Sequence, residues 1–233
     1  YNAKHASPGL LKEAVYGIPE LNREKIKTAR LVANPGCYPT GAILAATPIV
    51  ENFKLAGGLI VDSESGTSGA GAEPKPHVMF SEISGNVYPY GIGTHRHTPE
   101  MSQYLPQKGT AKPTSVLFAP SIIPVVRGIS TTVYARLANE TSQEALLGIF
   151  EKRYSKEPFV RLVKQPSINA VAGSNYCDMS VHYDPGSKTA VIVSAIDNLV
   201  KGASGTAQHE HHVGLWRERG LVAIFCQAIG LAH

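Results

Sequence analysis

Ile129 to Leu137 reads Ile-Ser-Thr-Thr-Val-Tyr-Ala-Arg-Leu, and its residues alternate in character. Apolar residues at positions 129, 133, 135 and 137 alternate with polar ones at 130, 132 and 136, which is the two-residue period of a half-buried strand. Four further segments are strand candidates: Ser115 to Ala119, Phe159 to Val163, Met179 to Tyr183 and Thr189 to Ala195. Because few helices separate them, we predict an α+β domain with a mixed or mostly antiparallel sheet and helices on one face.

Three helices are predicted from their start and stop signals. Thr141 and Glu144 form a capping box ahead of the helix Ser142 to Tyr154. A second helix is predicted from Tyr38 to Val50, stopping near the proline at position 48. Thr98 is a plausible N-cap for the third helix, since a proline and an acidic residue follow it.

The first half of the chain contains two short apolar runs. Leu31 to Ala33 ends in a turn, and Gly58 to Asp62 reads as a buried strand that leads into a Gly/Ser/Pro-rich loop, Ser63 to Pro76. In this loop, Ser65 or Thr67 could bind a phosphate or an acyl group, or the loop could be a flexible edge of an active site. It matches neither a Walker A sequence nor a G-x-G-x-x-G fingerprint, and no dinucleotide fingerprint occurs elsewhere in the chain.

The composition excludes several classes of protein. The 233 residues include 22 Lys+Arg and 18 Asp+Glu, a net charge of +4, and 43% are hydrophobic against 17% charged. This favours one sizeable core over a disordered chain, and no apolar run approaches the roughly 18 residues of a membrane span. Scattered basic residues argue against a nucleic-acid surface. The distant cysteines Cys37, Cys177 and Cys226 predict no disulfide framework and a cytoplasmic location.

Asn34-Pro35-Gly36-Cys37-Tyr38-Pro39-Thr40 places a cysteine where a turn meets the start of a helix. Unpaired backbone N–H groups and the helix dipole stabilise a thiolate at such a position. The same N–H groups can bind the oxyanion that forms when the sulfur attacks a carbonyl. The flanking Pro-Gly and Tyr-Pro pairs predict an exposed turn, so we interpret Cys37 as a nucleophile rather than a buried structural cysteine.

Thr94-His95-Arg96-His97-Thr98-Pro99-Glu100 brings two imidazoles, a guanidinium and a carboxylate together. Near a cysteine, His95 or His97 can act as a general acid/base, with Glu100 fixing the tautomer. Arg96 suits a substrate carboxylate or phosphate. Two histidines that bind a metal ion, or two solvated histidines in a surface turn, would show the same spacing. The presence of Cys37 favours the catalytic interpretation.

His209-Glu210-His211-His212 contains residue types that bind metals but lacks the spacing of a metal-binding motif. It is not His-Glu-x-x-His, because position 213 is Val213, and no nearby Cys or Asp completes a ligand set. We therefore predict no metal site.

These motifs resemble those of the N-acetyl-gamma-glutamyl-phosphate reductases, the acyl-phosphate reductases of arginine biosynthesis. Residues 34–40 are similar to the signature around that family's nucleophilic cysteine, and residues 95–100 to its histidine motif. Further similar stretches are Val15 to Leu21, Asp62 to Gly71, Arg127 to Ile129 and Asp197 to Ala203, so the similarity extends from about Leu11 to Gln208. The resemblance implies a C-terminal catalytic domain like that of glyceraldehyde-3-phosphate dehydrogenase, and a homo-oligomer, a dimer or a tetramer.

The resemblance also implies a reaction. NADPH would reduce N-acetyl-glutamyl 5-phosphate to the semialdehyde through a thioester on Cys37, with His97 or His95 as acid/base and Glu100 orienting the imidazole. The resemblance further implies that the substrate is bound by Ser65, Arg96 and Arg127. It implies that the cofactor is bound by Asn198 and Gly36.

Three alternatives stay open. The substrate could be a related acyl phosphate, of aspartate or of a protected aminoadipate. The chain could be an inactive remnant that dimerises without binding cofactor. It could also be a cysteine hydrolase that uses Cys37 and His97 on water.

The family places a Rossmann half ahead of the region that begins here. We therefore expect Tyr1 to be a cut end, residues 1–35 to be the remainder of the dinucleotide-binding domain, residues 36–196 to be the catalytic and dimerisation domain, and residues 197–208 to start the C-terminal helix. In the family that helix closes with a stretch like Asn-Met-Asn-Ile-Met-Trp-Gly-Phe, whereas this chain has the histidine cluster. One set of codons that encodes residues 209–216 would encode Met-Asn-Ile-Met-Trp-Gly-Phe if the reading frame were shifted by one base. We hypothesise that residues 209–233 are an atypical, frame-shifted tail in which the histidines and Cys226 carry no function.

Overall fold

The computed structural model describes residues 7–71, 73–106, 113–214 and 222–225. Its helices are α1 (Pro19–Thr28), α2 (Cys37–Asn52), α3 (Phe80–Ile83), α4 (His97–Tyr104), α5 (Gln143–Tyr154), α6 (Ile168–Val171) and α7 (Gly205–Gly214). Its strands are β1 (Ala14–Tyr16), β2 (Leu31–Asn34), β3 (Leu55–Ser65), β4 (Tyr88–Pro89), β5 (Val116–Ile122), β6 (Ile129–Leu137), β7 (Val160–Leu162), β8 (Cys177–Asp184), β9 (Thr189–Ile196) and β10 (Val222–Phe225). A π-helical turn, Val200–Ser204, precedes α7. Cys226 lies outside the described residues.

A seven-stranded mixed sheet forms the larger part of the fold. Its strand order is β4-β5-β3-β6-β9-β8-β7. The pairs β3/β5 and β7/β8 are parallel, and the others are antiparallel. This confirms the predicted α+β class, and each predicted strand overlaps a strand of the sheet.

The alternation in β6 separates the two faces of this sheet. Its odd-numbered residues are buried, and the four apolar ones among them belong to a continuous apolar core that includes side chains of α2 and α5. Its even-numbered residues face the other side, where Tyr134 is exposed together with Ile60 of β3 and Leu117 of β5. The two helices therefore cover one face, and large apolar side chains remain on the other.

Helix α2 continues through Pro48 to Asn52, so the predicted stop at this proline is wrong. A proline inside a helix has no N–H to donate to the carbonyl four residues before it, which here is that of Leu44. That carbonyl instead accepts a hydrogen bond of 2.5 Å from the buried Tyr154 hydroxyl of α5. A partner from another helix thus replaces the missing backbone bond.

Three other boundaries differ from the expected ones. Strand β3 extends to Ser65, so residues 63–65 belong to a strand and not to the predicted loop, because they pair with β5 and β6. Helix α4 starts at His97 and not after Thr98, because the N–H of His97 donates to Nδ1 of His95 at 3.1 Å. Ser142, not Thr141, caps α5 by accepting from the N–H of Ala145 at 3.1 Å.

A second, small parallel sheet, β1-β2-β10, lies outside the large one. Strands β1 and β2 fall in the segment 1–35, and β10 pairs with β2 in the register Val222 to Leu31. Helix α7 crosses position 208 without a break and packs against α1. His209 and Glu210, expected to lie outside the fold, are therefore buried within it.

None of the described helices has both the length and the apolar character needed to cross a membrane.

Candidate active site

Cys37 is the first residue of α2, directly after β2 and the extended N-cap Gly36. It is buried, with only 6% of its surface exposed, so the expectation of an exposed turn is wrong. The π-helical turn covers it: a Cβ added to Gly202 would lie 2.9 Å from Cβ of Cys37. Local sequence placed the cysteine at the helix start, and packing by a distant turn buried it.

Burial also reverses the expected titration of this thiol. It raises the pKa of Cys37 to about 11, although the N–H of Tyr38 acts in the opposite direction. The negative charge of Glu100 raises this pKa further, and the positive charge of Arg96 lowers it. A thiol with such a pKa is protonated near neutral pH, so it needs a base when it reacts.

His97 lies next to Cys37 through the backbone of Gly36. A Cβ added to Gly36 would lie 2.5 Å from Nε2 of His97, so only glycine fits at this position. His97 is buried, and both ring nitrogens make no hydrogen bond to any described residue. Burial, the neighbouring imidazole of His95 and the positive charge of Arg96 hold its pKa well below the usual value. A neutral imidazole of this kind can accept a proton.

His95 is the second imidazole of the site. Its ring meets that of His97 edge-on, with centroids 4.8 Å apart, and the ring lines the neighbouring pocket. Partial burial and the adjacent Arg96 lower its pKa to about 4, so it too is neutral near pH 7.

Glu100 does not bind an imidazole, so the expectation that it orients His97 or His95 by a hydrogen bond is not met. Its Oε1 accepts from the N–H of Gly36 at 2.9 Å and from the hydroxyl of Tyr16 at 2.8 Å. Burial raises its pKa, against these two donors and Arg96. The carboxylate therefore ties the start of α2 to β1 instead.

A pocket of about 320 Å³ lies at this site; His95 is part of its lining, whereas Cys37, His97 and Glu100 are not. The cationic and polar residues of its lining come from four separate stretches of the chain. They are Tyr38; Ser65; Lys75 and His77; and Tyr90, His95 and Arg96. Two of the expected substrate contacts, Ser65 and Arg96, are thus brought together. The third, Arg127, is not in this lining; its guanidinium lies 3.6 Å from the carboxylate of Asp197.

Four of these lining residues were missed as site residues from sequence. Lys75 and His77 lie in a Gly/Pro-rich segment with no motif of its own, and Lys75 is turned by a 3.1 Å bond from its ammonium to the carbonyl of Ala70. Tyr38 follows the cysteine, and its hydroxyl accepts from that of Tyr90 at 3.0 Å. Only Tyr38 had a usable signal, its place in the cysteine motif.

Asn198 has a bridging position. Its carboxamide oxygen accepts from the N–H of Gly128 at 2.8 Å, and its nitrogen donates to the hydroxyl of Ser68 at 2.9 Å. It therefore holds two loops together, beside the pocket residue Gly69.

A separate cluster of buried ionisable groups lies between α1, the π-helical turn and α7. The ammonium of Lys201 is paired with Glu20, and Nδ1 of His209 lies 3.6 Å from the same carboxylate oxygen. No group of three or more His, Cys, Asp or Glu in the described part of the chain could hold a metal ion.

A family model described as semialdehyde dehydrogenase, dimerisation domain, matches residues 37–198. The chain belongs to this family. The match begins at Cys37 and ends at Asn198, so it spans the thiol, both histidines and the large sheet.

Curated relatives in the semialdehyde dehydrogenase family match almost the whole chain. The N-acetyl-gamma-glutamyl-phosphate reductase of Nitrosomonas eutropha is 43% identical over 95% of this chain and 65% of its own length. That of Nitrosospira multiformis is 46% identical over 89% of this chain and 60% of its own. The resemblance noted from the motifs is confirmed, and the chain spans 60–65% of the length of these two relatives.

Solved structures in the family share the fold. Aspartate semialdehyde dehydrogenase II from Vibrio cholerae superposes with a TM-score of 0.68 at 16% identity, over 89% of this chain and 69% of that one. The aspartate semialdehyde dehydrogenase with NADP from Candida albicans gives 0.65 at 14% identity, over 90% and 68%.

Proposed function

We propose that this chain carries the acyl-transfer site of an NADP-dependent acyl-phosphate reductase that acts on N-acetyl-glutamyl 5-phosphate. The carrying observation is the arrangement at the start of α2: a buried thiol, a neutral imidazole that packs on the preceding Gly36, and a cationic pocket lined by their chain neighbours Tyr38 and Arg96. Identities of 43–46% to N-acetyl-gamma-glutamyl-phosphate reductases support this substrate over aspartyl phosphate, since the aspartate semialdehyde dehydrogenases match at only 13–17%.

In the acyl-transfer step, the sulfur of Cys37 attacks the acyl carbon while His97 accepts the thiol proton. The C–S bond forms, the bond from carbon to the phosphate oxygen breaks, and inorganic phosphate leaves. The N–H groups at the start of α2 stabilise the oxyanion, as helix N-termini do. Arg96 and Lys75 line the pocket and suit the substrate's two anionic groups, its carboxylate and its phosphate.

The described residues do not by themselves form a dinucleotide site. The N–H of Gly36 is already given to Glu100, and both ends of the Asn198 carboxamide are bonded within the chain. The sequence holds no glycine fingerprint. NADPH, when bound, supplies the hydride that reduces the thioester, and the residues of this chain supply the thiol, the proton acceptor and the substrate pocket.

The proposal is tested by acylation without cofactor. We expect N-acetyl-glutamyl 5-phosphate to add one acyl group to Cys37 and release one phosphate per chain, measured by peptide mass spectrometry and a phosphate assay. Cys177→Ser is the matched control: Cys177 is also a buried thiol but lies on β8 and not at a helix start, so its removal should leave the acylation of Cys37 unchanged. Absence of the adduct, equal labelling of a Cys37→Ser variant, or faster acylation by aspartyl phosphate would contradict the proposal.

We further propose that the outer face of the large sheet joins two copies of the chain. Ile60, Leu117 and Tyr134 are 46%, 50% and 39% exposed there, and exposed apolar side chains on one face indicate an interface. Ile60→Asp is expected to shift the mass measured by light scattering from dimer to monomer. An unchanged mass would contradict this assignment of the face.

A further inference from the structure

We propose that Tyr16 is a positioning residue for the Cys37 site: its hydroxyl holds the carboxylate of Glu100, which fixes the backbone of Gly36 between Cys37 and His97. This inference rests on the proposed role of Cys37 as nucleophile. Tyr16 lies on β1, outside the residues 37–198 that match the family model.

Two contacts fix Tyr16 against helix α4. Its hydroxyl donates to Oε1 of Glu100 at 2.8 Å. Its ring stacks on that of Tyr104, with centroids 3.5 Å apart and planes 10° from parallel. Because Glu100 and Tyr104 are four residues apart, they lie on one face of the helix. The buried Tyr16 therefore meets that face at two points.

The same carboxylate oxygen reaches the start of α2. It accepts from the N–H of Gly36 at 2.9 Å, and Gly36 precedes Cys37 in the chain. The other side of Gly36 packs on His97, since an added Cβ there would lie 2.5 Å from Nε2. Glu100 thus sets how far the thiol lies from the imidazole, and Tyr16 sets where Glu100 lies.

The charge of Glu100 makes this arrangement measurable. The groups that act on the carboxyl are the hydroxyl of Tyr16 from β1, the N–H of Gly36 from α2, and Arg96 beside α4. Burial raises its pKa and these three groups oppose the rise, so loss of the hydroxyl favours the neutral acid. A neutral acid holds Gly36 more weakly. It also no longer raises the pKa of the Cys37 thiol.

These two consequences have opposite signs in two assays. Without the hydroxyl of Tyr16, Cys37 should react faster with a small reagent that needs only a thiolate. It should react more slowly with an acyl phosphate, because this reaction also requires that the thiol and the imidazole of His97 be correctly aligned. General loosening of the fold would also expose the buried Cys177, which serves as an internal reference.

The experiment is a double-mutant cycle on the full 233-residue chain, with Tyr16→Phe, Glu100→Gln and the double variant. Cys37 is alkylated with iodoacetamide and separately acylated with N-acetyl-glutamyl 5-phosphate, and both are followed by peptide mass spectrometry. For Tyr16→Phe we expect alkylation to rise about fivefold and acylation to fall about tenfold. In the Glu100→Gln background, Tyr16→Phe should have no further effect.

The matched control is Tyr183→Phe, because the hydroxyl of Tyr183 also has a hydrogen bond, from the N–H of Thr141, but lies on β8. It should change neither rate. The inference is overturned if Tyr16→Phe acts equally in both backgrounds, if it leaves both rates unchanged, or if it labels Cys177 as fast as Cys37. If N-acetyl-glutamyl 5-phosphate fails to acylate the unmodified chain, the proposed function fails, and the alkylation cycle still decides the role of Tyr16.

Discussion

Replacing Glu210 by Gln is expected to stabilise the fold near neutral pH by about 3.5 kcal/mol. Glu210 lies on α7 with none of its surface exposed, and neither carboxylate oxygen has a hydrogen-bond partner among the described residues. Burial and the charge of Glu20 raise its pKa from 4.5 to about 9, against the opposing effect of Lys201. Near pH 7 the folded chain must therefore bind a proton that the unfolded chain does not hold.

The magnitude follows from proton linkage. The gap between pH 7 and the unfolded pKa of 4.5 is 2.5 units, and at about 1.4 kcal/mol per unit the penalty is about 3.5 kcal/mol. Because the folded pKa is raised, the contribution of Glu210 to stability is fully present below pH 4.5 and is lost progressively as pH rises towards 9. Glu210→Gln buries a similar polar group without this proton uptake.

Urea unfolding at several pH values measures the effect. The difference in unfolding free energy between Glu210→Gln and the unmodified chain should grow by about 1.4 kcal/mol per pH unit between pH 5 and 8. Glu151→Gln, an exposed change on α5, is the control and should show no such slope. A difference that is constant with pH, or a variant less stable at pH 8, would refute the reasoning.

Four further substitutions test the packing at the site and elsewhere in the fold. Lys201→Met leaves Glu20 buried without its ammonium partner, so urea melts should show a loss of about 3–5 kcal/mol, much of it restored by adding Glu20→Gln. Gly202→Ala places a Cβ 2.9 Å from that of the proposed nucleophile, and acylation followed by mass spectrometry should fall at least about tenfold. Gly148→Ala, with nothing within 4 Å, should instead stabilise the chain by about 0.5–1 kcal/mol. Tyr154→Phe removes the donor to the orphan carbonyl of α2, and thermal melts should show a loss of about 1–3 kcal/mol.

The main strands were predictable because burial on one face of a sheet imposes a two-residue period. β6 shows this directly: the apolar positions 129, 133, 135 and 137 that the sequence pattern indicated are all buried. The end of α2 was not predictable in this way. Pro48 is a helix breaker by local rules, and only the hydroxyl of Tyr154, over a hundred residues away, provides for the carbonyl that it leaves unbonded.

In the candidate site, too, some features follow from local sequence and others only from tertiary contacts. Local motifs found Cys37, His95, His97, Glu100 and Arg96, because residue type and a helix start are encoded in neighbouring positions. The burial of the thiol and the direction of its pKa were not found, since they come from Gly202 and from desolvation. Lys75 and His77 were missed because a Gly/Pro-rich loop gives no sign of which side chains it turns inward.

Sequence alone determined the α+β class, the helix start that presents the cysteine, and the likeness to the reductases, because each depends on short-range pattern. Tertiary structure alone decided that Glu100 binds Tyr16 and Gly36 rather than an imidazole, and that Glu210 is buried without a partner. The physical reason is that hydrogen-bond partners and desolvation depend on elements that lie far apart in the chain and meet only when the two sheets and α7 are assembled.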